Sequence, residues 1–168
     1  MKMSRLIRRC AAAAVAAVAI VAAGLTAATP SVAAGPDFDF SLPAGQACAD
    51  FGLRIIGVGD SRQVREFRDG SVISAGKGFT LTFINLDNTG KTLTLQSNGS
   101  VEKKTSLNPP NTVQLAGHNV IILFPTDITP GPSTTLYVGS VVYTADANNN
   151  FTILSHSGTT TDICAALS

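Results

Sequence analysis

From Ala47 onward, apolar and polar residues alternate in short runs broken by turn residues, the period-two pattern of half-buried strands. Phe51, Leu53 and Ile55 alternate with Gly52, Arg54 and Ile56. Residues 63–68 and 71–75 flank Asp69-Gly70, a strong hairpin signal. Phe79, Leu81 and Phe83 alternate with Thr80, Thr82 and Ile84. Residues 86–90 form a turn, residues 92–97 a further strand, and Asn98-Gly99 a second hairpin-type turn. Residues 101–106 read as a polar strand suited to a sheet edge, where Lys103 and Lys104 oppose edge-to-edge pairing. Residues 112–115 pair again before Gly117, and residues 119–124 are continuously apolar, as in a strand buried on both faces. Residues 125–132, with three prolines and a glycine, form a stiff loop. Residues 135–144 are β-branched and aromatic, with Gly139 a bulge or bend. After a polar turn at 146–150 comes a strand at 151–155. Ser157-Gly158 then turns the chain into residues 159–167, with one turn of helix over 162–167.

These nine or ten short strands, at 8–12-residue spacing, predict an all-β chain: a single antiparallel β-sandwich with jelly-roll-like connections over residues 47–168. Trp is absent, so the Cys…Trp…Cys signature of immunoglobulin domains is too. Residues 35–46 carry Pro36 and Pro43 and read as an irregular lead-in, with Phe38-Asp39-Phe40 suited to one short edge strand.

The first 34 residues follow a different pattern. Lys2, Arg5, Arg8 and Arg9 precede an uncharged Ala/Val-rich run over 11–28, then Pro30 and Ser31-Val32-Ala33-Ala34. A charged region, an apolar helical run and a small-residue cleavage site, in that order, make a cleavable signal peptide. Val32 and Ala34 fit the −3 and −1 positions, placing the cut after Ala34, with Ala33 the near alternative. A membrane anchor fits less well, because alanine is weakly apolar and the proline and cleavage site follow at once. Arg8-Arg9 raises the twin-arginine route but lacks the usual apolar pair after it, and Cys10 precedes the apolar run, where a lipoprotein cysteine would not lie. The expectation is a secreted protein, extracellular or in the cell-envelope space, with no membrane association after cleavage.

Export changes how charge and cysteine are read. The whole chain has formal charge +1, but four of its cations belong to the signal. Eight Lys+Arg then face eleven Asp+Glu, a net −3 that argues against nucleic acid and anionic membrane surfaces as partners. Two cysteines remain, Cys48 and Cys164. In an oxidising compartment an isolated pair reads as one disulfide rather than a redox or metal pair, which would need closer spacing.

Candidate chemistry is sparse. His118 and His156 each lie beside turn glycines and read as exposed loop residues; two histidines fall short of a zinc set. Gly-x-Ser-x-Gly is absent, and Ser157-Gly158 beside His156 is too short to define a triad. Asp60, Asp69, Asp87, Asp127 and Asp146 fall in turn signals, where aspartate bonds its own backbone, rather than forming a glycosidase pair. Residues 146–150 begin like a calcium loop, but Phe151 stands where glycine is needed and Ser157 where glutamate is. Residues 108–112 lack the apolar segment and basic tail of a cell-wall sorting signal. The expectation is no catalytic residue, no cofactor and no metal.

Four places carry a resemblance: the Ala-rich signal; residues 43–51 (PAGQACADF); Pro130-Gly131-Pro132 leading to Leu136-Tyr137-Val138-Gly139; and residues 161–167 (TDICAAL). In these the chain resembles a group of small secreted actinobacterial β-rich proteins of uncharacterised function. The resemblance implies no catalytic or binding residue, and it supports pairing Cys48 with Cys164. Two functions then compete. The first is a non-enzymatic binding, envelope-associated or structural module meeting an extracellular or cell-envelope partner, with the 125–132 loop and its apolar Ile128 tip as the place to watch. The second is a small hydrolase with a non-standard site, which requires His118 or His156 beside an acid in a cleft.

Overall fold

In the computed structural model, residues 35–97 and 101–168 are described. The signal peptide with its Ala34 cleavage site, and the Asn98-Gly99 turn, lie outside them. Ten strands and one short helix follow in order: β1 (Phe38–Leu42), β2 (Leu53–Val58), β3 (Ser61–Glu66), β4 (Val72–Lys77), β5 (Thr80–Asn85), β6 (Thr92–Gln96), β7 (Val101–Lys104), β8 (Asn111–Leu123), β9 (Ser133–Ala145), β10 (Phe151–Asp162) and α1 (Ile163–Leu167). They form two antiparallel sheets, β1-β2-β5-β6 and β10-β9-β8-β7-β4-β3. The hairpins β1–β2, β3–β4, β5–β6 and β7–β8 alternate between the sheets, and β9 and β10 then continue the six-stranded one, giving the all-β sandwich that the alternation predicts.

Three local readings change. β7 is not an edge: it pairs with β4 on one side and β8 on the other. Lys104 pairs there with Glu102 on the same strand and face, Nζ to Oε1 2.7 Å, and both are only partly exposed. β6 and β7 do not form a hairpin, because β6 pairs with β5 in one sheet and β7 enters the other. The segments expected to break at Gly117 and Gly158 are instead continuous, as the 13-residue β8 and the 12-residue β10.

Those glycines act in one row. Gly117 pairs with Gly139, and Gly139 with Gly158, so the three long strands carry glycine at the same register. All three have positive φ: +96°, +137° and +93°. L-residues resist this region, so the glycines let three strands bend together along one line. Strands touch closely there: a Cβ on Gly139 would sit 2.3 Å from the Ser157 carbonyl oxygen, and one on Gly158 2.1 Å from that of Val138. The rings of Tyr137 and His156 lie on opposite sides of the row. Tyr137 and Val141, which His156 faces, would be about 13 Å apart along a flat strand at 3.3 Å per residue. Yet the rings meet edge to face with centroids 5.6 Å apart.

The bend divides the hydrophobic residues into two cores. Val120, Ile122, Leu136 and Val138 pack toward the four-stranded sheet against Leu53, Ile55 and Phe83. α1 closes this core with Ile163 and Leu167, both fully buried. On the other face, Val113, Leu115 and Val141 from one side of the row cluster with Ile121, Leu123 and Tyr137 from the other. Residues 119–124 are therefore packed on both faces, as their unbroken apolar run predicts.

Polar side chains lock the clasped end of the sandwich. Thr134, fully buried, donates to the Ala47 carbonyl at 2.9 Å. Asn85 donates from Nδ2 to the Leu167 carbonyl at 2.9 Å and accepts the amides of Asp87 and Asn88 at Oδ1. Asp162 caps α1, accepting the Ala165 amide at 3.0 Å. In the lead-in, β1 pairs with β2, and the Phe38 ring lies over Gly57 and edge-on to Phe79.

Candidate functional site

Cys48 and Cys164 form a disulfide with Cα atoms 5.5 Å apart, closing 116 residues of chain. It joins the segment after β1 to α1, at the edge of the first core. This is structural placement, since Cys48 is almost wholly buried.

The histidines do not converge. Both are exposed, but they sit within β8 and β10, not in loops. His118 pairs with Val138 and His156 with Val141, so period-two alternation puts them on opposite faces of the six-stranded sheet. His156 has the Tyr137 ring against it.

The aspartates serve turns. Asp69 accepts the Ser71 amide and hydroxyl at 3.0 and 2.7 Å, and these bonds hold its carboxyl below the usual carboxylate range. Asp60 takes Arg62 Nε at 2.9 Å and is lowered by that bond. Asp146 accepts the amides of Asn150 and Asn148 at 2.9 and 2.8 Å and the Asn150 side chain at 3.0 Å. Those bonds lower its pKa too, Asn150 first. The stretch that begins like a calcium loop is thus a turn whose lead carboxylate is occupied by its own chain. Among the described residues no group of three His, Cys, Asp or Glu is placed to hold a metal ion.

The 125–132 loop is pinned at several points. Asp127 accepts the Phe124 amide through one carboxylate oxygen and the Phe151 amide through the other, both at 2.6 Å. The Ile128 and Thr129 amides donate to the Phe151 carbonyl at 3.1 Å, and the Thr129 hydroxyl accepts the Ile153 amide at 2.7 Å. The loop is thereby held against the start of β10, with Ile128 62% exposed at its tip. Beneath Ile128 runs an open groove of about 370 Å³, crossed by a row of threonines in neighbouring registers: Thr112, Thr144 and Thr152, with Thr105 hydrogen-bonded beside Thr112.

The opposite face of the same sheet end holds a second cavity of about 270 Å³, which sequence reasoning missed. Tyr143 and Phe151 line it with ring centroids 4.9 Å apart. Register explains the meeting: Phe151 pairs with Ala145 and Ile153 with Tyr143, so the two rings are diagonal neighbours on adjacent strands. Asn111 lines the cavity as well, 8% exposed. Its Nδ2 donates to the Ser106 carbonyl at 3.3 Å, while its Oδ1 is buried with no hydrogen-bond partner. Burial first, then the charge of Glu102, pushes the Tyr143 phenol up to about 12.

No helix among the described residues is long and apolar enough to cross a membrane. No family model, no curated protein and no solved structure matches this chain.

Proposed function

We propose that the chain is exported, loses residues 1–34, and works outside the cytoplasm as a non-enzymatic binding, envelope-associated or structural module of the kind its sequence resembles. The observation that carries this reading is the pinned loop. A loop fixed to β10 by the carboxylate of Asp127, two backbone amides and the Thr129 hydroxyl has little conformational freedom left to lose on binding. It presents Ile128 as an exposed apolar tip on a disulfide-tied scaffold. The hydrolase alternative needs a histidine beside an acid in a cleft; His118 and His156 face opposite sides of their sheet and neither lines the cavities described above.

The test is binding of labelled residues 35–168 to isolated envelope and extracellular material from the producing cell. Saturable binding, weakened about tenfold or more by Ile128→Asp without change in circular dichroism, is expected. Binding that ignores Ile128→Asp, or turnover of ester, glycoside or peptide substrates, would overturn the reading.

A further inference from the structure

The two sheets have four edge strands, and three of them are short. β1 and β6 are five residues long, and β3 has six, with Arg62, Arg65 and Glu66 among them. Shortness and charge are how sheets discourage a further strand from adding. β10 differs. It is a 12-residue edge, and from Leu154 to Thr161 it holds no acid, lysine, arginine or proline. Its first residues are covered, because the 125–132 loop takes the Phe151 amide and carbonyl and the Ile153 amide. Beyond them residues 154–162 are exposed, and among the described residues no strand but β9 pairs with them. The glycine row shows which way this backbone points. The Ser157 carbonyl would meet a Cβ on Gly139, and the Val138 carbonyl one on Gly158, so both carbonyls point into the gap between β9 and β10. Alternation then turns the amides and carbonyls of Gly158 and Thr160 to the open side.

The bend decides what strand can lie there. β8, β9 and β10 each cross it with a glycine at positive φ in the same register. A fourth strand against β10 crosses the same line, where a straight strand of L-residues does not follow the edge. A second copy of β10 does, because Gly158 then lies opposite Gly158. A strand paired antiparallel with its own copy is closed by a twofold axis, so the pairing stops at two. We propose that two copies of this chain pair edge to edge through residues 154–162, antiparallel about Gly158, joining their six-stranded sheets into one. In that register Ser157 faces the partner's Thr159 and Ser155 faces the partner's Thr161, hydroxyl against hydroxyl, and no like charges are opposed. The pairing goes beyond the binding reading above and does not depend on Ile128.

The experiment is analytical ultracentrifugation of residues 35–168, which hold both cores and the disulfide. Concentrations run over about 1–500 μM, because an interface of one strand pair is small and its dimer weak. A monomer–dimer equilibrium is expected. The double variant Ser157→Lys with Thr159→Lys sets lysine opposite lysine at two places across the twofold axis. It should weaken dimerisation about tenfold or more at unchanged circular dichroism, since both side chains are exposed. Ser157→Lys with Thr159→Glu sets lysine opposite glutamate at the same two places and should dimerise at least as well as the parent chain. Thr160→Pro removes an outward amide that β9 does not use and should leave monomer. If Thr160→Pro fails to fold, the two charge variants decide. A chain that is monomeric at every concentration, a dimer indifferent to the paired lysines, or a Lys/Glu variant as weak as the Lys/Lys one overturns the proposal.

Discussion

Gly139→Ala probes the bend on which both cores depend. Gly139 has φ +137°, and an added Cβ would lie 2.3 Å from the Ser157 carbonyl oxygen and 3.1 Å from Gly158 Cα. Both are backbone atoms of a paired strand, so no flexible side chain can yield. Holding an L-residue at such a φ costs about 1–3 kcal/mol, and relieving an overpacked contact costs about 1–3 kcal/mol more. Alanine also stiffens the unfolded chain, which offsets about 0.4–1 kcal/mol. The net loss spans about 1–6 kcal/mol and centres near about 3 kcal/mol. Gly70→Ala is the control: its φ is +81°, yet nothing lies within 4 Å of its added Cβ. There only the backbone term operates, a net of about 1 kcal/mol. At this chain length each kcal/mol moves Tm by about 4 °C, so thermal unfolding should show drops of about 12 °C and about 4 °C respectively. If Gly139→Ala lowers Tm no more than Gly70→Ala, the close approach at the glycine row is not what the packing requires.

Other outcomes follow from the same structure. Replacing both Cys48 and Cys164 by serine reopens a 116-residue loop and should destabilise by up to about 5 kcal/mol in the chain-entropy picture, read as a fall in the denaturation midpoint at unchanged fold. Thr134→Val leaves the Ala47 carbonyl unpaired in a dry core and should cost about 1–3 kcal/mol by urea unfolding. The pKa values of Asp39, Asp60, Asp69 and Asp146 are depressed in the fold, so their stabilisation is present above the ordinary carboxylate pKa and fades as pH falls through the lowered values; Tm should decline below about pH 4. Tyr143 is shifted the opposite way, so its contribution is complete below about pH 10 and disappears as pH rises through about 12; phenolate absorbance in a pH titration should show this late ionisation, and a tyrosine titrating wholly at its ordinary value would contradict it.

Much of the sandwich was legible because half-buried strands announce themselves by alternation. The Asp69-Gly70 hairpin, the doubly packed run at 119–124 and the helical turn at the end all follow from local pattern. What local pattern lacked was the partner. A polar strand such as β7 looks like an edge until its two neighbours are known, and an i,i+2 ion pair on one face lets Lys104 live inside a sheet. Gly117, Gly139 and Gly158 each read as a break or bend alone; only their shared register turns three punctuation marks into one bend. The Tyr143–Phe151 cavity was invisible for the same reason. With no Trp in the chain there was no compositional hint of an aromatic platform, and the two rings meet through a pairing of strands that no spacing encodes.

One intact-mass measurement tests the proposed export and the proposed cleavage after Ala34 together with the Cys48–Cys164 disulfide. The full-length sequence is expressed in a secreting host, and the protein recovered from outside the cytoplasm is weighed with and without thiol alkylation. The predicted species is residues 35–168 less two hydrogens, unreactive toward the alkylating agent until reduced. A full-length mass retained in the cell, or a trimmed chain with both thiols free, would contradict it.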